Sequence, residues 1–274
     1  MNVLNKTIYI LWRLYAILFK KFTIEIHLAD HCNLNCKGCN HYSPIAPISF
    51  PNLNLLESGI IELKRIKLQL KSIRLLGGEP LLNPAITHVI KLIRKNLPLV
   101  KIEVFTNGIL LPRIEEKIPD FWEICRSNNV DIVITKYPIQ LNYNKIKEYS
   151  LSKKVNTKIF TDRSQGKTFF KCKLSQEGKE SRWNYYQCMN NACLQLKDNR
   201  IYPCSTAAYI DFINKKFSKD FKLEKNDFIE IDSHISSLKI RKFLINKKPF
   251  CKYCVFPREK IYWTISKKEL SEWI

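Results

Sequence analysis

Three cysteines, Cys32, Cys36 and Cys39, fall within eight residues of the stretch DHCNLNCKGCNHYSP. Thiolates ligate soft metals, and spacings of three and then two residues let one loop present all three to a single metal group. A structural zinc site closes with four ligands, and His27, His31 and His41 are near enough in the chain to supply the fourth. A four-iron cube held at three corners would instead keep one iron open to a small molecule.

The elements around this loop alternate. FTIEIHLA reads as a strand with Ile24, Ile26 and Leu28 on one face, and the cysteine stretch follows it as a loop. Helical spacing at Leu56, Ile60, Leu63 and Ile66 comes next, then a short buried strand, SIRLL, stopped by Gly77 and Gly78. A helix opening near Pro84, the strand VKIEVF, a helix through LPRIEEKIPDFWEICRSN and the strand VDIVIT continue the pattern. A weaker helix, YNKIKEYSLSK, and the strand VNTKIF complete five units by about residue 162, too few for a closed eight-fold barrel. The expected fold is α/β, a partial, open parallel β/α barrel with a small cysteine-rich C-terminal appendage. Ligands of such sheets bind outside the carboxyl ends of the strands. DHCNLNCKGC, GGEP, TNG and TKYP each lie just after a strand, so all four converge on one rim.

Length and composition suit a large globular domain with an appendage: 274 residues, 45% of them hydrophobic and 12% aromatic. Ten cysteines in a chain of this size point to metal or iron–sulfur ligation; a disulfide framework belongs to short secreted chains. The net charge of +21 favours anionic partners, although the lysines are dispersed and also fit a solvated surface. Residues 1–21 form an apolar segment with basic ends, too short to span a bilayer and without a cleavage site. It reads either as a helix lying in the membrane interface or as one packed on the barrel's open side.

Cys32, Cys36 and Cys39 match the CxxxCxxC signature of the radical S-adenosylmethionine (radical SAM) superfamily, which this chain resembles over roughly residues 22–165. Gly77–Pro80, GGEP, matches the second motif of that family, and Thr106–Gly108, TNG, follows at the end of the third strand. The resemblance implies a 4Fe–4S cluster whose unique iron is chelated by S-adenosylmethionine. Reductive cleavage then gives a 5′-deoxyadenosyl radical that abstracts hydrogen. It also implies that Gly77 and Gly78 let main-chain carbonyls approach the cofactor ammonium and that Glu79 positions it. Thr106, Asn107 and Thr135, with Lys136, are expected near ribose or carboxylate. The family's aromatic residue before the third cysteine is here Gly38, leaving His41 or Tyr42 to meet the adenine.

Residues 166–274 carry six of the ten cysteines. Cys193 and Cys204 bracket a hairpin with Asp198–Asn199 at its turn, and Cys251 and Cys254 form a CxxC. This resembles the Twitch or shortened SPASM appendage, implying that Cys193, Cys204, Cys251 and Cys254 hold an auxiliary 4Fe–4S cluster. A zinc ribbon would use the same four residues. Cys172 and Cys188 stand outside that set, as replacements for one of its members or as free thiols, and Cys125 reads as a core cysteine.

The leading expectation is a cytoplasmic enzyme, at the inner face of the membrane if residues 1–21 bind it. It would draw electrons from a flavodoxin or ferredoxin and oxidise or epimerise a sugar, sugar nucleotide, anionic glycan or other small molecule. Modification of a peptide or of RNA is the alternative; the charge and the aromatic–lysine stretches KTFFKCK and RWNYYQC suit nucleic acid, though no RNA-binding motif accompanies them. A non-catalytic metal-binding module would leave Gly77–Glu79 without a purpose.

Overall fold

The structure, a computed structural model, describes residues 11, 15, 19, 21–161, 164, 166–178, 185, 188 and 193–274. The apolar segment expected at residues 1–21 falls almost wholly outside them. Among the described residues no helix is long and apolar enough to cross a membrane.

Ten strands and eight helices are described: β1 (Phe22–Ala29), α1 (Leu53–Ile66), β2 (Leu70–Gly77), α2 (Ile86–Asn96), β3 (Lys101–Thr106), α3 (Ile114–Lys117), α4 (Phe121–Ser127), β4 (Val130–Thr135), α5 (Tyr143–Ser152), β5 (Thr157–Phe160), β6 (Thr168–Lys171), β7 (Cys193–Lys197), β8 (Arg200–Tyr202), α6 (Ser205–Ala208), α7 (Asp211–Phe217), β9 (Ile229–Glu230), α8 (Ser237–Ile245) and β10 (Glu259–Tyr262). Eight strands form one sheet in the order β5-β4-β3-β2-β1-β7-β8-β9. β1 to β5 pair in parallel, so the expected open parallel β/α sheet is present and does not close on itself. The C-terminal hairpin extends this same sheet, β7 running parallel to β1 with Thr23 opposite Cys193.

Local signals explain most boundaries. Asn52 caps α1 by accepting the amides of Asn54 and Leu55, and Lys67 ends it in the left-handed region. Leu56, Ile60, Leu63 and Ile66 are the buried stripe of that helix. They meet Ile24, Ile26 and Leu28 of β1, each nearly inaccessible to solvent; burial contributes about 1.5–3 kcal/mol per large side chain. The single helix expected through residues 111–128 is instead broken into α3 and α4 around Pro119, whose missing amide and ring interrupt helical bonding. α2 begins at Ile86, two residues beyond the proline expected in its first turn.

The opposite face of the sheet is polar and ordered by register. Gln195, Glu25, Arg74, Glu103 and Asp131 stand side by side on five adjacent strands. Arg74 reaches Glu25 at 3.4 Å and Glu103 at 3.3 Å, and Lys101 bridges Glu103 and Asp131 at 2.6 and 3.1 Å. Each buried carboxylate in the row has a cation or amide beside it. A second core, built from Tyr42, Tyr202, Tyr209, Phe221, Phe250 and Trp273, joins the cysteine loop to the C-terminal region.

Candidate active site

The loop after β1 brings Cys32, Cys36 and Cys39 to the carboxyl edge of the sheet. All three line a cavity of about 180 Å³ together with Gly77, Gly78, Thr106, Asn107 and Thr135. The rim expected from the four motifs is therefore one place. Burial pushes the Cys32 thiol up to about 12, and burial raises Cys36 and Cys39 as well; the neighbouring thiols add to the rise in both Cys32 and Cys36. Three crowded thiols that resist ionisation are what a cationic metal group would compensate, because a coordinating thiol is deprotonated outright. Among the described residues no three such side chains converge on one point, as ligands of a single ion would. Three thiols lining one cavity are the donor type that soft metal ions and iron–sulfur clusters take.

The two glycines close the strand ends against one another. The Gly78 amide donates to the Ala29 carbonyl at 2.7 Å and the Glu79 amide to that of His31 at 3.1 Å. A Cβ on Gly78 would stand 1.9 Å from the His31 oxygen, and one on Gly77, whose φ is +132°, 2.4 Å from the Ala29 oxygen. Both positions thus need glycine for backbone contact between β1 and β2, in addition to any approach to a ligand.

Three of the residues expected near the cofactor are not among those lining this cavity. Glu79 does not line the cavity. As the cap of the turn Pro80–Leu82 it lies fully buried, accepting the Thr106 hydroxyl at 2.7 Å, the Asn107 amide at 3.0 Å and the Leu81 amide at 3.2 Å. It braces β2 against β3 and the TNG turn. Tyr42 turns into the second core, edge-on to Trp273, because its backbone is left-handed at φ 57°. Gly38, also left-handed, faces the C-terminal segment: its amide donates to Glu272 at 3.3 Å, and Ile261 and the Glu272 carbonyl occupy the space beside it.

Side chains that sequence reasoning did not place complete the wall. Tyr137 lines the cavity with Cys36, while the side-chain amide of Asn107 donates to Asn33 at 2.7 Å. Cys36, Cys39, His41, Thr135 and Tyr137 also border a second cleft, of about 370 Å³. Its far side is formed by Lys136, Phe160, Phe169 and Phe170.

The C-terminal cysteines regroup. Cys204, Cys251 and Cys254 line one cavity with Cys172 and Cys188. Cys193 does not. It shares a face of β7 with Gln195 and sits beside Glu25, to which Gln195 donates at 2.6 Å; successive strand residues alternate faces, so the pair points into the polar row. Cys188 accepts from Arg258 at 2.8 Å, and Cys172 and Cys254 hydrogen-bond each other. The turn joining β7 and β8 has Asp198 and Asn199 at φ 50° and 56°, the left-handed pair a two-residue hairpin requires.

An open parallel sheet carries a three-thiol loop at its carboxyl edge. Residues 26–133 match the Radical SAM superfamily model. The chain is similar to the GTP 3′,8-cyclase of Synechocystis sp. (39% identity over 90 residues; 33% of this chain, 27% of the relative). Similarity to the GTP 3′,8-cyclase of Clostridium perfringens is 31% over 157 residues, covering 51% of this chain and 47% of the relative. The FeMo cofactor biosynthesis protein NifB of Frankia alni matches at 30% over 106 residues, 35% of this chain and 21% of the relative. The matches therefore span from about a fifth to about half of these relatives. The crystal structure of BtrN in complex with AdoMet and 2-DOIA shares the fold, with a TM-score of 0.52 at 15% identity over 86% of this chain and 93% of that one.

Proposed function

We propose that this chain is a radical SAM enzyme that holds a 4Fe–4S cluster on Cys32, Cys36 and Cys39 and S-adenosylmethionine against Gly77, Gly78, Thr106, Asn107 and Thr135. The observation that carries the reading is the common wall: Cys36, Cys39, His41, Thr135 and Tyr137 border both the three-thiol cavity and the adjoining cleft. A cofactor in the first is thereby next to a substrate in the second. When bound, the reduced cluster and S-adenosylmethionine supply a 5′-deoxyadenosyl radical for hydrogen abstraction.

The chain's own part is placement and exclusion of water. Gly77 and Gly78 keep side chains out of the approach. Thr135 and the Asn107 amide offer polar contacts, with Asn107 held by Asn33. The Thr106 hydroxyl is committed to Glu79, so this residue presents its methyl and main chain. Leu34, Leu76 and Phe105 make the remaining wall apolar.

The substrate is a small anionic molecule of nucleotide type. Phe160, Phe169 and Phe170 offer faces for a planar ring, and Lys136 lines the same cleft. The net charge of +21 and the similarity to GTP 3′,8-cyclases support the same class over a free sugar. Cys188, Cys204, Cys251 and Cys254 hold an auxiliary 4Fe–4S cluster, with Cys172 as a fifth thiol hydrogen-bonded to Cys254. In this set Cys188 takes the place expected for Cys193. The electron donor is a flavodoxin or ferredoxin.

Anaerobic reconstitution, followed by iron and sulfide counting and an assay for 5′-deoxyadenosine under reducing conditions, tests the proposal. Production of 5′-deoxyadenosine that needs all three loop cysteines supports it; its absence from an iron-loaded, reduced protein refutes it.

A further inference from the structure

We propose that Trp263 sets the reduction potential of the cluster on the cysteine loop by donating its indole N–H to the Cys36 sulfur. The inference rests on the cluster assignment made above and adds a residue that lies outside the matched region 26–133.

Three observations carry it. Trp263 Nε1 stands 3.1 Å from Cys36 Sγ, and an indole nitrogen is a donor only. The Trp263 ring packs beside Tyr137, with centroids 6.2 Å apart, and Tyr137 lines the same cavity as Cys36. The C-terminal segment that carries Trp263 is fastened along the loop: the Lys37 amide donates to the Thr264 carbonyl at 2.9 Å, the Ser266 amide to that of Asn35 at 2.8 Å, and the Trp273 indole to that of Cys39 at 3.0 Å. Glu272, buried at 2% exposure, accepts from the Gly38 amide and the Ser266 hydroxyl. Gly38 has no side chain to compete, since Ile261 and Glu272 fill that space.

The electron balance is simple. One electron from an external reductant takes the cluster from the 2+ to the 1+ state, and the added negative charge falls partly on the cysteine sulfurs. An N–H aimed at such a sulfur stabilises the reduced state more than the oxidised one and raises the potential. The donor here arrives from a segment fixed by the C-terminal region, so the appendage takes part in tuning the loop's redox chemistry.

The experiment is a potentiometric titration of reconstituted full-length protein with dithionite. It follows the paramagnetic signal that changes when S-adenosylmethionine is added, which separates the loop cluster from any other. In Trp263→Phe the equilibrium constant for reduction is expected to fall about tenfold, a midpoint about 59 mV more negative, and Trp263→His, which keeps an N–H donor, is expected to recover part of the shift. An unchanged midpoint in Trp263→Phe, with its responsive signal intact, overturns the inference. A second measurement uses the parent alone, with tryptophan labelled by ¹⁵N at the indole: the reduced signal should show hyperfine coupling to that nitrogen, and its absence overturns the inference whether or not the variants fold. A parent without any S-adenosylmethionine-responsive signal overturns the cluster assignment and this inference with it.

Discussion

Glu79 and Thr106 meet in a site closed to water, the hydroxyl donating to the carboxylate at 2.7 Å, and this bond fastens the end of β2 to the end of β3. The same carboxylate accepts the amides of Leu81 and Asn107. Two motifs separated in sequence, GGEP and TNG, are thus one hydrogen-bonded unit. Glu79→Gln keeps the volume but turns a donor toward groups that also donate. It is expected to lower the unfolding free energy by about 1–3 kcal/mol in denaturant titrations near neutral pH.

The same residue predicts a pH dependence. Burial raises the Glu79 carboxyl from 4.5 to about 7, against the opposing hydrogen bonds of Asn107, Thr106 and Leu81. Between those values the folded state binds more protons than the unfolded one, so stability falls as pH rises through the window. The contribution is complete below 4.5 and lost on passing about 7. Thermal melts of the parent should fall across that range as pH rises, whereas those of Glu79→Gln, which has no proton to lose there, should lack this component of the fall.

Gly78→Ala is expected to be among the most damaging single-methyl changes in the chain. Its Cβ would lie 1.9 Å from a carbonyl oxygen that belongs to the backbone, with no flexible side chain to yield. A loss of about 3 kcal/mol or more follows from overpacking of this kind. It is measured as soluble yield and melting temperature beside Gly166→Ala, which tests the same kind of backbone contact at 2.1 Å from the Lys136 oxygen.

The two C-terminal ligand sets separate by metal content. Cys188→Ala should reduce the reconstituted iron from about eight atoms per chain to about four, while Cys193→Ala leaves it near eight. The opposite pattern would restore the hairpin cysteine to the ligand set. Iron and sulfide analysis on anaerobically prepared protein decides between them.

Sequence alone was informative wherever chemistry is written in contiguous residues. The cysteine spacing, the paired glycines and the TNG turn lie in short segments after strands, and strand–helix alternation was enough to bring them to one rim. Contacts made across the chain were hidden. Nothing near Cys36 announces an indole 227 residues away, and within the rim segment TKYP only Thr135 and Lys136 are given a role, although Tyr137 lines the cavity too. Glu79 was read as a cofactor contact because a carboxylate after two glycines invites one, whereas three donors from neighbouring turns occupy it. The resemblance to the Twitch appendage assigns Cys193 through the hairpin it opens, whereas period-two alternation along β7 turns it toward Glu25. Pro119 did carry a legible break signal, and the longer helical pattern on either side concealed it.

The central claim is an iron at the Cys32–Cys36–Cys39 loop that S-adenosylmethionine reaches directly. Electron paramagnetic resonance of anaerobically reconstituted, dithionite-reduced protein, recorded with and without S-adenosylmethionine, tests it most directly. The account predicts a signal that shifts on addition of S-adenosylmethionine in the parent and is missing from Cys36→Ala. A fully reduced parent whose signal is unaltered by saturating S-adenosylmethionine would contradict it.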